Sequence, residues 1–82
     1  MKTVRYLRDA QAALRRHGNV TGWLRKAITQ YAADPWAHAN NVTSLVGSAA
    51  KRMRVGDYRI VFEETEAEIV VTRIAPRGSA YD

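Results

Sequence analysis

The chain has no cysteine, a single phenylalanine, two prolines and no apolar run long enough to span a bilayer. Without cysteine, neither a disulfide framework nor a thiolate metal site can form. That usage suits a reducing cytoplasm. The first residues lack the apolar stretch of a secretory signal, so a cytoplasmic, membrane-free protein is expected. No metal and no cofactor are expected either. With 82 residues the chain has room for one domain, 1–82. A domain this small buries only about 60% of the surface its unfolded form exposes, so a stabilising partner would fit.

Acidic residues are also scarce. Eight Asp and Glu face thirteen Lys and Arg, for a net charge of +5, and ten of the thirteen are arginine. Guanidinium groups are planar, permanently charged forks that match phosphate and carboxylate oxygens. Such a surface favours nucleic acid or an acidic protein segment as partner. A solvated basic surface with no specific partner accounts for the charge equally well.

The pattern along the chain predicts an α+β domain in the order β-α-α-β-β-β, with an antiparallel sheet and two N-terminal helices packed on one face. Residues 2–6 read as a short strand. Asp9 is placed to cap a helix beginning at Ala10, and Gly18 to end it. Val20, Trp23, Leu24, Ala27, Ile28 and Tyr31 then recur at helical spacing. Asp34-Pro35 stops that second helix. Residues 35–48 read as a loop, with Trp36 and Leu45 anchoring it to the core and His38, Asn40 and Asn41 exposed. From Lys51 onward the period drops to two. Gly56-Asp57 is a hairpin signal, residues 64–67 form a polar turn, and residues 68–74 make a last strand rich in Ile and Val.

Those turns set an expected register. Across Gly56-Asp57, Val55 faces Tyr58, Arg54 faces Arg59, Met53 faces Ile60 and Arg52 faces Val61. Across residues 64–67, Glu63 faces Glu68 and Phe62 faces Ile69. Side chains alternate between faces, and cross-strand partners share one. One face is then apolar. The other carries Arg52, Arg54 and Arg59, with Glu63 and Glu68 at its far end. Like charges directly opposite one another are unfavourable. An anion between Arg54 and Arg59 would relieve that, and so would splaying of both side chains into water. The tail adds Arg77 and Tyr81, a pairing suited to phosphate contact and base stacking, or equally to a frayed terminus. His17 and His38 have no spacing that links them to the arginines and read as exposed helix-end and loop residues.

Three strings carry a family resemblance. They are Leu45-Val46-Gly47-Ser48, then Arg52-Met53-Arg54-Val55-Gly56-Asp57-Tyr58-Arg59-Ile60-Val61-Phe62, and finally Arg73-Ile74 through Arg77 and Tyr81. Together with the helix pair before them they resemble the RelE/ParE toxins over nearly the whole chain. The resemblance implies the toxin of a type II toxin-antitoxin system. Its partner would be a small antitoxin with an acidic binding segment, forming a toxin-antitoxin hetero-oligomer.

Two activities follow from the resemblance. RelE-like members cleave mRNA on the ribosome, through attack of a 2′-hydroxyl on the adjacent phosphate. ParE-like members inhibit DNA gyrase by protein contact. For the first, Arg59 corresponds to the arginine that holds the scissile phosphate. Arg77 corresponds to the tail arginine assigned to stabilisation or proton donation, and Tyr81 to the tyrosine that orients the mRNA. Lys51, Arg52 and Arg54 would contact RNA. Two positions depart from the pattern: Arg52 and Ala50 stand where RelE has lysines. Arginine stays protonated and is a poor general base. The leading expectation is therefore a ribosome-dependent endoribonuclease with its base unassigned. Its rivals are a gyrase inhibitor and a toxin that keeps only antitoxin binding.

Overall fold

The computed structural model describes residues 1–76. Its order is β1 (Thr3–Tyr6), α1 (Arg8–Arg16), α2 (Thr21–Ala33), β2 (Val42–Ser44), β3 (Ala50–Val55), β4 (Tyr58–Glu64) and β5 (Glu68–Pro76). Short 3₁₀ turns at Gly18–Val20 and Ala39–Asn41 precede α2 and β2. The α+β class and the helix pair agree with expectation. The sheet differs in two ways. It has five strands, in the order β1-β5-β4-β3-β2. It is mixed, because β1 runs parallel to β5, with Val4 opposite Ile69 and Tyr6 opposite Val71.

α1 starts two residues earlier than its polar residues predict. The Leu7 N–H donates to the Val71 carbonyl at 2.9 Å, and the Gln11 N–H donates to the Leu7 carbonyl at 2.9 Å. The helix thus springs directly from the end of β1. Asp9 falls inside its first turn and makes no cap bond. There a carboxylate still favours the positive end of the helix dipole, as Arg15 and Arg16 favour the negative end. At the helix joint the Thr21 hydroxyl donates to the Leu14 carbonyl at 2.6 Å, satisfying one of the carbonyls a helix end leaves open.

Ala10, Ala13 and Leu14 of α1 and Leu24, Ile28 and Tyr31 of α2 meet Met53, Ile60, Phe62, Ile69, Val71 and Ile74 of the sheet in one core. Tyr31 packs on Phe62, ring centroids 5.4 Å apart. Trp36 is not an anchor: it is 91% exposed. Residues 35–38 form a turn held by the His38 N–H to the Pro35 carbonyl at 3.3 Å, and Trp36 borders a small cavity with Tyr31 and Pro35 rather than filling the core. Leu45 is half-buried. The expected loop also contains β2, which pairs antiparallel with β3, Thr43 lying opposite Arg52.

The β3–β4 hairpin has the expected register at every pair from Val55↔Tyr58 to Arg52↔Val61. Gly56 holds φ +57° and the following residue does not have positive φ, the glycine-first pattern of a type II′ turn. The second hairpin differs. Glu64 stays in the strand opposite Ile69, and Phe62 faces Val71 rather than Ile69. The Thr65 hydroxyl accepts the Glu68 N–H at 3.0 Å and the Ala67 N–H at 3.3 Å, tightening the turn to residues 65–67. Farther along, Thr72 bulges out of the ladder between the pairs Phe62↔Val71 and Val61↔Arg73, and its hydroxyl donates to the Val61 carbonyl at 3.2 Å. One extra residue exchanges the faces of everything beyond it. Ile74 therefore turns into the core, and Arg73 turns out.

Candidate nucleic-acid interface

The bulge at Thr72 completes an arginine face that the hairpin begins. Across the sheet, Thr43, Arg52, Val61 and Arg73 form one row. Arg54, Arg59 and Ala75 form the next. Four guanidinium groups thus project from one side, the side away from the helices. Val61 and Ala75 between them are buried, which fits arginine stems lying along apolar surface with their charged heads outward. Arg52 and Arg59 are half-buried, and Arg54 and Arg73 are exposed.

Arg52, Arg54 and Arg59 come together with Asn40, Asn41 and Thr43 around a polar cleft of about 260 Å³. The pieces reach it by different routes. Strand alternation aims the arginines, and the 3₁₀ turn after α2 brings the two asparagines over the end of β2. Guanidinium forks and carboxamides together are hydrogen-bond donors of the kind that phosphate oxygens take. Two carboxylates of the described residues lie farther along this face. Glu63 is four residues along β4 from Arg59, about 13 Å at the usual rise per residue. Glu68 lies beyond it and pairs with Arg5 at 3.5 Å.

Lys51 is not brought to the cleft. It lies opposite Phe62 in the ladder and so emerges on the helix side. There its ammonium is 2.8 Å from one Glu64 oxygen. The Lys2 ammonium is 3.0 Å from the other and also donates to the Thr65 carbonyl. The Tyr31 hydroxyl donates to Glu64 at 2.7 Å. Burial works against ionisation of Glu64, but hydrogen bonds from Lys51, Tyr31 and Lys2 outweigh it and hold its carboxyl down at about 2. Burial, then the bond to Glu64 and its charge, push the Tyr31 hydroxyl up from its ordinary value. This cluster ties β1, β3, β4 and α2 together and serves the fold.

Both histidines are half-buried rather than exposed. His17 ends α1, its Nδ1 3.3 Å from the Tyr58 hydroxyl and its ring edge-on to that ring at 5.2 Å. It lines a separate cleft of about 510 Å³ with Arg16 and Arg73, between α1 and β5. His38 borders a groove on the helix side, against α2. Sequence spacing links neither histidine to an arginine, and the cleft that His17 shares with Arg73 is set by the packing of α1 beside β5. Arg77 and Tyr81 lie outside the described residues. Among the described residues, no group of three His, Asp or Glu could hold a metal ion, and no helix is long and apolar enough to cross a membrane.

No family profile and no curated protein sequence matches the chain. Solved structures do. The archaeal RelE-RelB complex of Pyrococcus horikoshii OT3 superposes with a TM-score of 0.77 at 21% identity, over 96% of this chain and 98% of that one. The Escherichia coli DinJ-YafQ toxin-antitoxin complex gives 0.73 at 11% identity, over 99% and 98%. The RelB-RelE antitoxin-toxin complex of Methanococcus jannaschii gives 0.68 at 22%, over 95% of each chain. The chain has the fold of the RelE-like toxins.

Proposed function

We propose that the protein is the toxin of a type II toxin-antitoxin pair, and that it inhibits translation in the cytoplasm as a RelE-like, ribosome-dependent mRNA endonuclease. The observation that carries this is the arginine face on a RelE-like sheet: Arg52, Arg54, Arg59 and Arg73 share one side. The similar structures named above are RelE and YafQ complexes, which favours this reading over a ParE-like gyrase inhibitor. Their partners, RelB and DinJ, support a small antitoxin as the partner here.

In this reading the mRNA backbone runs across the outer face. Arg59, half-buried at the floor of the cleft, holds the scissile phosphate. Arg52 and Arg54 bind neighbouring phosphates. Arg77 adds charge for the phosphorane and Tyr81 orients the RNA, as the family pattern implies. The 2′-oxygen gives its proton to a base and bonds to phosphorus, the phosphorus–5′-oxygen bond breaks, the 5′-oxygen takes up a proton to leave as a hydroxyl, and a 2′,3′-cyclic phosphate results. Fixed cations aimed at that phosphorane stabilise the negative charge it develops. Arginine does not give up its proton at neutral pH. The four arginines therefore supply charge and position, while proton removal from the 2′-hydroxyl falls to another group. Primer extension on translated mRNA after induction should show cuts in the ribosomal A site. Continued translation with no such cuts would refute the activity.

A further inference from the structure

A second groove adjoins the arginine cleft, and it has a different chemistry. It measures about 610 Å³ and lies between α2 and the end of β3. Arg54 and Asn41 wall both spaces. That shared wall stands at the edge of the sheet, where β2 stops at the pair Val42↔Met53 and leaves the last residues of β3 without a neighbouring strand on that side among the described residues.

The groove's distinguishing group is Trp23. Its indole is 50% exposed, yet it is not loose. The six-membered ring rests on Gly56, so closely that a Cβ there would come within 2.2 Å of it. The hairpin glycine therefore seats the ring as well as making the turn. Beneath it, Met53 and Val55 are already buried. A peptide docking here would find one exposed ring rather than an apolar stripe. A flat aromatic ligand would find a fixed face and little ordering cost. Gln30, His38, Asn41 and Asp57 border the space with donors and acceptors.

We propose that Trp23 is a nucleobase-stacking platform, and that this groove takes a base of a single-stranded RNA whose neighbouring phosphates lie in the arginine cleft. The proposal rests on the RNA reading above. It makes Arg54 the hinge between backbone contact on one side of the sheet edge and base contact on the other. Stacking accepts any base, so the platform would position RNA without selecting sequence.

The test uses the full chain carrying Trp36→Phe, which leaves Trp23 as the sole tryptophan, and an eight-nucleotide oligoadenylate. Binding should quench Trp23 emission. Trp23→Leu should weaken affinity about 5- to 160-fold, since stacking is worth about 1–3 kcal/mol per base, with Trp23→Phe in between. An abasic oligonucleotide of the same length should bind weakly and leave the emission unchanged. Urea unfolding of each variant establishes that it is folded. If the oligoadenylate binds in an Arg59-dependent way while Trp23→Leu has wild-type affinity and no quenching occurs, the platform is refuted and the RNA reading stands. If neither Trp23→Leu nor Arg59→Ala changes binding, the RNA reading falls with it. If Trp23→Leu weakens only antitoxin binding, the groove is a protein-docking site and the proposal is overturned.

Discussion

The two faces of one sheet carry charge in opposite ways. On the helix side a single carboxylate, Glu64, draws in Lys2, Lys51 and Tyr31 within 3.0 Å. Opposite charges close on one another there, and the product is cohesion between β1, β3, β4 and α2. On the outer side the register sets Arg54 against Arg59, and the bulge at Thr72 adds Arg73 two strands away from Arg52. Charge of one sign is gathered around a polar cleft, and like charges directly opposite one another, as at Arg54 and Arg59, are locally unfavourable. The first pattern explains itself within the chain. The second presents several cations together, and a polyanionic backbone supplies several anions at once.

That contrast can be broken from either side. The largest effect should come from Arg59→Ala on the outer face. Losing one preorganised cation aimed at a developing oxyanion costs on the order of 100-fold in rate. A-site cleavage should drop by that much while the urea midpoint stays near wild type. On the helix face the effect should be on stability. Glu64→Ala leaves two ammonium groups and a phenol facing one another, half-shielded from water, and breaking such a cluster costs roughly 3 kcal/mol. Denaturant unfolding reads this directly.

The same carboxylate sets an acid limb. Its folded value is about 2, against 4.5 unperturbed, so the folded state favours the ionised form. The stabilisation is present above about pH 4.5 and is lost as pH falls toward 2. Glu64→Gln should flatten the stability-versus-pH curve across that window, as measured by urea midpoints at stepped pH. A smaller effect belongs to the hairpin between the two faces. Gly56→Ala places a side chain at positive φ and drives its Cβ into the Trp23 ring. A loss of about 1–3 kcal/mol and a shift in Trp23 emission should follow.

Much of the outer face is legible in the sequence. Gly56-Asp57 fixes the turn, and alternation from that turn sets Arg52, Arg54 and Arg59 together. Lys51 was equally legible: it has the same parity as Met53, so it had to emerge on the core side. Treating it as one more cation of the basic run obscured this. Other features depend on partners distant in the chain. The parallel pairing of β1 with β5 joins the two ends of the chain and leaves no turn signal. β2 is three residues long, too short for a period to register. The bulge at Thr72 goes with a side-chain hydrogen bond across strands, which no sequence pattern signals, and the outward Arg73 and inward Ile74 go with it. Trp36 read as core because tryptophan is large and apolar. The turn at residues 35–38 instead holds it in solvent.

On the proposed reading the outer arginines bind phosphate and the helix-face lysine does not. The salt dependence of oligoadenylate binding tests it most directly, because its slope reports the number of phosphates neutralised. Arg54→Gln and Arg59→Gln should each lower the slope of log K against log salt by about 0.7, while Lys51→Gln should leave it unchanged. Slopes unaffected by the two arginine substitutions, or lowered as much by Lys51→Gln, would contradict it.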